Sequence, residues 1–174
     1  MSLTVEDGSL PNGANSYVSV SDTRTFAAAR GLSLPASGAP GDAAIEVLLT
    51  TALDYIEALR AEFQGSKLSK SQVLQWPRSG VYIDGFAVGT DEIPACLVQA
   101  QMRIACYAYA NGGALTAVSD GRVVVEERIE GAVDIKYADH GDNKPQPQFP
   151  EADRLLAPLL DGGSVAGFGV SVRV

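Results

Sequence analysis

A chain of 174 residues, 46% hydrophobic and 20% charged, has the length of one ordinary domain and enough apolar material for a core, which excludes wholly disordered and disulfide-stapled classes. The formal net charge of −8, from 21 acids against 13 bases, excludes a basic coat for nucleic acid, whose grip needs clustered Lys and Arg. One His and no Cys pair at metal spacing leave zinc, iron and triad chemistries without their residues.

The N-terminus has no basic region leading into an apolar stretch, so no secretory signal is expected, and no run approaches the ~20 apolar residues that span a bilayer. Residues 1–18 are rich in Gly, Pro, Asn and Ser and predict an ordered arm rather than a helix. Ser19 with Asp22 makes a capping-box pattern, and a short helix follows through Phe26, Ala27, Ala28 and Ala29 until Gly31 stops it. Residues 32–41 predict a loop. Asp42 is then placed to cap a helix from about Ala43 to Phe63, whose apolar set is Ile45, Leu48, Leu49, Ala52, Ile56, Leu59 and Phe63. Glu46, Thr50, Asp54, Glu57 and Arg60 fall on the opposite side.

Gly65 to Gly89 is mixed, with Lys67, Lys70, a half-turn of helix around Ser69 to Leu74, a Trp76-Pro77-Arg78-Ser79-Gly80 turn, and Asp84-Gly85. Pro94 opens a helix that runs to about Asn111 and turns Leu97, Ala100, Ile104, Tyr107 and Ala108 towards the preceding long helix. Cys96 and Cys106 lie about 15 Å apart along it, beyond the roughly 7 Å reach of a disulfide, and read as small buried hydrophobes in a reducing cytosol.

Residues 122–138 change period. Val133, Ile135 and Tyr137 alternate with Asp134 and Lys136, and Glu130-Gly131 supplies a turn, so a β-hairpin is expected. A polar linker over 139–149 precedes a short helix opened by Pro150, with Leu155, Leu156, Leu159 and Leu160 as its apolar residues. After Gly162-Gly163, Phe168, Val170, Val172 and Val174 recur at intervals of two. The expected fold class is mainly α: a small bundle of about four helices with a protruding β-hairpin and extended N- and C-terminal arms. It forms a single domain, with the arm over 1–18, helical body 19–118, hairpin 119–140, short helix 150–161 and tail 162–174.

Candidate chemistry is sparse. His140 sits in a polar linker without a nucleophile or orienting acid. Glu126, Glu127, Glu130, Asp134, Asp139 and Asp142 read as a solvated or interface face, and no nucleophile elbow, phosphate loop or His-Glu-x-x-His pattern occurs. No catalytic, cofactor or metal residue is therefore expected. Lys67, Lys70 and Arg78 are the one local basic excess, a candidate DNA-proximal loop. Trp76 is either a stacking platform for a base or, the preferred reading, a plug of the core. The alternating tail either docks on another chain or pairs within its own subunit.

The arm Val5-x-Asp7-Gly8 with Ala14-Asn15-Ser16-Tyr17-Val18-Ser19, then Trp76-Pro77-Arg78-Ser79-Gly80-Val81, then Ile93-Pro94 opening a helix, resemble head–tail connector proteins of tailed bacteriophages. The later hairpin and Leu155-Leu156-Ala157-Pro158-Leu159-Leu160 before Gly162-Gly163 fit the same pattern, so the resemblance spans nearly the whole chain. Relatives of these adaptor or head-completion proteins carry a DnaT-like single-strand-binding label. The resemblance implies a non-enzymatic adaptor without cofactor or membrane partner, forming a ring of about twelve subunits between portal and tail. It would be assembled in the host cytoplasm and located in the virion neck. Phe168, Val170, Val172 and Val174 would then dock on the portal. Arg128, Glu130, Val133, Ile135 and Tyr137 would meet neighbouring subunits, a tail-side connector or a tail terminator protein. Double-stranded DNA would pass without tight binding, because subunits of charge −8 repel phosphate over the ~8 Å screening length. The alternative is a DnaT-like single-stranded-DNA-binding replication accessory protein, which a basic groove with interleaved aromatics would mark.

Overall fold

The computed structural model describes residues 3–113, 115, 124–129, 133–137 and 149–162. The chain is mainly helical, with four α-helices and three two-stranded antiparallel sheets among the described residues. It divides into two compact units, Met1–Leu115 with Phe149–Val174, and Thr116–Gln148.

Residues 3–18 form the expected ordered arm, closed on itself by a parallel bridge between Val5 and Ser16. Helix α1, Val20–Ala28, starts at the expected cap. Ser19 stays extended, its Oγ accepting the Asp22 N–H at 3.1 Å and donating to the Asp22 carboxylate at 2.6 Å. Gly31, at φ 63°, lets the Leu32 N–H reach back to the Ala27 carbonyl at 2.9 Å, which ends the helix.

Helix α2, Ala39–Ala58, begins four residues before Ala43, where it was expected. Pro40 lies in its first turn, where no N–H is needed, and Gly38 takes the cap position at φ 117°. Asp42 is therefore not the cap; Arg24 holds its carboxylate through Nη2 at 2.6 Å and Nε at 3.0 Å. Arg24 also donates to the Pro35 and Ala36 carbonyls, pinning the 32–38 loop to α1. Ile45, Leu48, Leu49, Ala52 and Ile56 are buried as expected, and a 3-10 turn, Leu59–Ala61, brings Phe63 into the core while leaving Leu59 half-buried.

Helix α3, Ala95–Ala110, takes Pro94 as its cap, one residue outside the expected position. It packs between α2 and helix α4, Pro150–Leu156, which a 3-10 turn, Ala157–Leu159, continues. Leu97, Ala100, Ile104 and Ala108 are buried, but Tyr107, expected on the same buried face, stays 39% exposed and meets Phe149 edge-to-face at 5.1 Å. Phe149, buried just ahead of α4, meets both the Tyr107 ring and Tyr55 of α2, the latter edge-to-face at 4.9 Å.

The strands of this unit are short. Strand β1, Ser66–Lys67, pairs with β2, Arg78–Ser79, and β3, Tyr82–Ile83, pairs with β4, Phe86–Ala87. The half-turn of helix expected around Ser69 to Leu74 is an irregular turn. Gln72 fills it, accepting the Leu68 N–H and donating to the Pro77 carbonyl. In the second unit, strands β5, Val124–Ile129, and β6, Val133–Tyr137, form the expected hairpin, with Ile129 opposite Val133 and Glu127 opposite Ile135. It carries Arg128, Val133, Ile135 and Tyr137. Glu130, His140, the 139–148 linker and the tail residues Phe168, Val170, Val172 and Val174 lie outside the described residues. Among the described residues no helix is long and apolar enough to cross a membrane, and no cluster of three or more His, Cys, Asp or Glu could hold a metal ion.

Candidate nucleic-acid interface

Residues 64–89 carry half of the exposed large apolar side chains among the described residues, Leu68, Val73, Tyr82 and Phe86, and a buried polar network fixes their root. Tyr17 donates its backbone N–H to Gln101 Oε1 at 2.9 Å and its hydroxyl to Glu57 Oε1 at 2.5 Å. The same hydroxyl accepts the Trp76 N–H at 3.2 Å, and the Glu57 carboxylate accepts the Gln75 N–H at 3.1 Å. Gln101, wholly buried, donates through Nε2 to Ser16 Oγ at 3.1 Å and the Leu49 carbonyl at 3.0 Å. Glu57, expected on the solvent side of α2, is therefore an inward group, because the arm supplies a hydroxyl where water would otherwise stand.

Burial pushes the Glu57 carboxyl above its ordinary value, more than its bonds from Tyr17 and Gln75 and the nearby Lys67 and Arg78 pull it down. Burial and the Glu57 charge push the Tyr17 phenol well up. Between the ordinary and the raised carboxyl value, native Glu57 holds a proton that the unfolded chain has released, so stability falls as pH rises through that window. The thermal midpoint is expected to climb as pH is lowered from neutrality towards the ordinary carboxylate range, and Glu57→Gln to flatten the climb. Asp153, pushed up by burial beside the Tyr55 hydroxyl, contributes with the same sign and leaves a residual slope. An unaltered pH profile in the Gln variant would remove Glu57 from this account.

Trp76 is fully buried and meets Phe63 edge-to-face at 5.7 Å, so it plugs the core and offers no face to a base. The three bases of the candidate DNA-proximal loop part company. Arg78 is 6% exposed, and its guanidinium donates to the carbonyls of Gln64 at 2.7 Å, Gly65 at 2.8 Å and Phe63 at 3.4 Å. It is turned inward. Lys67 is half-buried with Nζ donating to the Gln72 carbonyl at 2.8 Å, and Lys70 is exposed.

The surface of this segment is dominated by the β3–β4 hairpin. Tyr82 is 58% exposed and Phe86 78%. Asp84 and Gly85 join the strands with φ of 52° and 84°, the left-handed pair of a two-residue type I′ turn, whose twist matches that of the strands. The hairpin is anchored: Val88 N–H donates to the Val81 carbonyl at 3.0 Å, and Tyr82 N–H to Gln64 Oε1 at 3.2 Å. Gln64 in turn donates to the Pro158 carbonyl at 2.9 Å. Asp84 is exposed at the tip of this hairpin, so the surface is no basic groove. It is an exposed aromatic surface, on a segment whose two exposed or half-buried lysines are Lys67 and Lys70. A four-residue alternation is too short to stand out by period, but Asp84-Gly85 between Tyr82-Ile83 and Phe86-Ala87 is the signal that finds it.

The whole chain, residues 1–174, matches one family model, described as "Putative DnaT-like ssDNA binding protein". Comparison with curated proteins and with solved structures returned no match. The family match overturns the resemblance to head–tail connectors and, with it, the portal-bound ring of about twelve subunits, the tail-side partner and the untouched passage of double-stranded DNA. The alternative, a DnaT-like single-stranded-DNA-binding protein, is the reading that agrees with it. Net charge misled here because it is a property of the whole surface, whereas base stacking is decided by a few local rings.

Proposed function

We propose, from the premise that the chain belongs to the DnaT-like ssDNA-binding family, that it binds single-stranded DNA without catalysing a reaction. Bases stack on Tyr82 and Phe86, and Lys67 and Lys70 take adjacent phosphates. The observation that carries the reading is the family match over the full chain. The hairpin supports its placement, since stacking on an exposed ring contributes about 1–3 kcal/mol per base and tolerates any sequence. Repulsion from the −8 net charge is screened beyond ~8 Å, so contacts at the hairpin outweigh it.

Two cations on a single strand give a shallow salt dependence, a slope of log K against log[salt] near about −1.4. Fluorescence anisotropy with a labelled oligonucleotide across a salt series measures it. The double variant Tyr82→Ala/Phe86→Ala is expected to bind at least about 10-fold more weakly, and Lys70→Ala to make the slope shallower by about 0.7. No detectable affinity of the intact chain at low salt would end the reading.

A further inference from the structure

The two exposed rings of the β3–β4 hairpin stand on opposite faces, and we infer that the hairpin is a strand-parting wedge that seats at a junction between single- and double-stranded DNA. The inference rests on the single-stranded-DNA reading above and deepens it. Cross-strand partners share a face and successive residues alternate. Tyr82 lies opposite Ala87, and Ile83 opposite Phe86. Phe86 therefore shares its face with Ile83, and Tyr82 shares the other with Ala87.

A single strand running along one face stacks on the ring of that face, Tyr82 or Phe86, one at a time. Both rings are used together when DNA passes on both sides of the hairpin, as it does where two strands diverge. The tip agrees with that placement. Asp84 is exposed there, and a carboxylate repels a phosphate backbone, so the tip enters among the bases rather than against the backbone. Lys67 is set back from the tip: it pairs across from Arg78, four residues before Tyr82 along the chain. A wedge also needs a stiff root, which the buried Val81 and the Gln64 hydrogen bonds provide.

The test compares three labelled DNAs of matched length with the full chain at low salt: a single strand, a blunt duplex, and a duplex with two diverging single-stranded arms. The forked DNA is expected to bind about 10-fold more tightly than either of the others, and Phe86→Ala and Tyr82→Ala each to remove that preference. A 2-aminopurine in the pair next to the junction should brighten on binding as the pair opens. Both positions are exposed, so unchanged thermal midpoints verify that the variants are folded. Equal affinity for fork and single strand overturns the wedge and leaves single-strand binding standing. A fork preference that survives both substitutions likewise overturns it. Concentration-dependent self-association lost in Phe86→Ala, with fork binding intact, assigns the hairpin to a second copy of the chain and overturns the wedge. Absence of binding to any of the three overturns both readings.

Discussion

Gln101→Ala is expected to lower stability by about 3–5 kcal/mol, from a cavity at a fully buried site and from buried polar groups left without partners. One amide joins three elements. Its oxygen takes the Tyr17 N–H of the arm, and its nitrogen reaches Ser16 Oγ of the arm and the Leu49 carbonyl of α2, while the residue itself belongs to α3. Ser16 Oγ keeps its bond to the Val18 carbonyl, so the Tyr17 N–H bears most of the loss. Urea unfolding should show a lower midpoint with an unchanged slope, and hydrogen exchange at the Tyr17 amide should accelerate more than at the core of α3. A loss below about 1 kcal/mol would mean that water enters and replaces the amide, and the arm would then be docked by packing alone.

The second large effect concerns Arg78. Removing its guanidinium leaves the carbonyls of Phe63, Gln64 and Gly65 without their charged donor, and Arg78→Ala is expected to cost about 3–5 kcal/mol. Arg78→Lys should recover little, because one ammonium cannot present a planar array of N–H groups to three carbonyls. Oligonucleotide binding by the folded fraction should keep the parent's salt slope, in contrast to Lys70→Ala. If Arg78→Ala instead leaves the unfolding midpoint in place and makes the salt slope shallower, the side chain swings out to phosphate and the inward position is not its working one.

The elements that follow local rules were legible. Ser19 caps α1 because a short hydroxyl beside an extended backbone has one good partner, and Ile45 to Ile56 repeat at helical spacing because that face has to be buried. The hairpin over 124–137 announced itself by its alternation. What escaped is set by partners distant in sequence. Glu57 is polar and flanks the apolar face, and only the arm 40 residues away turns it inward. Gln101 stands on the stripe of Leu97, Ile104 and Ala108, and a polar residue on an apolar stripe was a usable sign of a buried hydrogen-bonding hub. The start of α2 was lost because Pro and Gly before Asp42 read as loop, although Pro is at home in a first helical turn. For the interface, the charge of Arg78 was visible in the sequence but its direction was not, and Tyr82 and Phe86 carry no signal until a two-residue turn sets them on one hairpin.

The burial of Trp76 has an optical consequence. It is the chain's one tryptophan, fully enclosed, with an indole Nε1 that has no hydrogen-bond partner among the described residues. Its emission should be blue-shifted and closed to quenching by iodide, and it should redden on unfolding as water reaches the ring. Stacking of a base on Phe86, ten residues further along the chain, leaves the indole's surroundings as they are. Intrinsic fluorescence is thus a gauge of the folded fraction that stays silent to surface binding, and any spectral change on adding DNA would report a rearrangement around Tyr17, Phe63 and the loop that holds the ring.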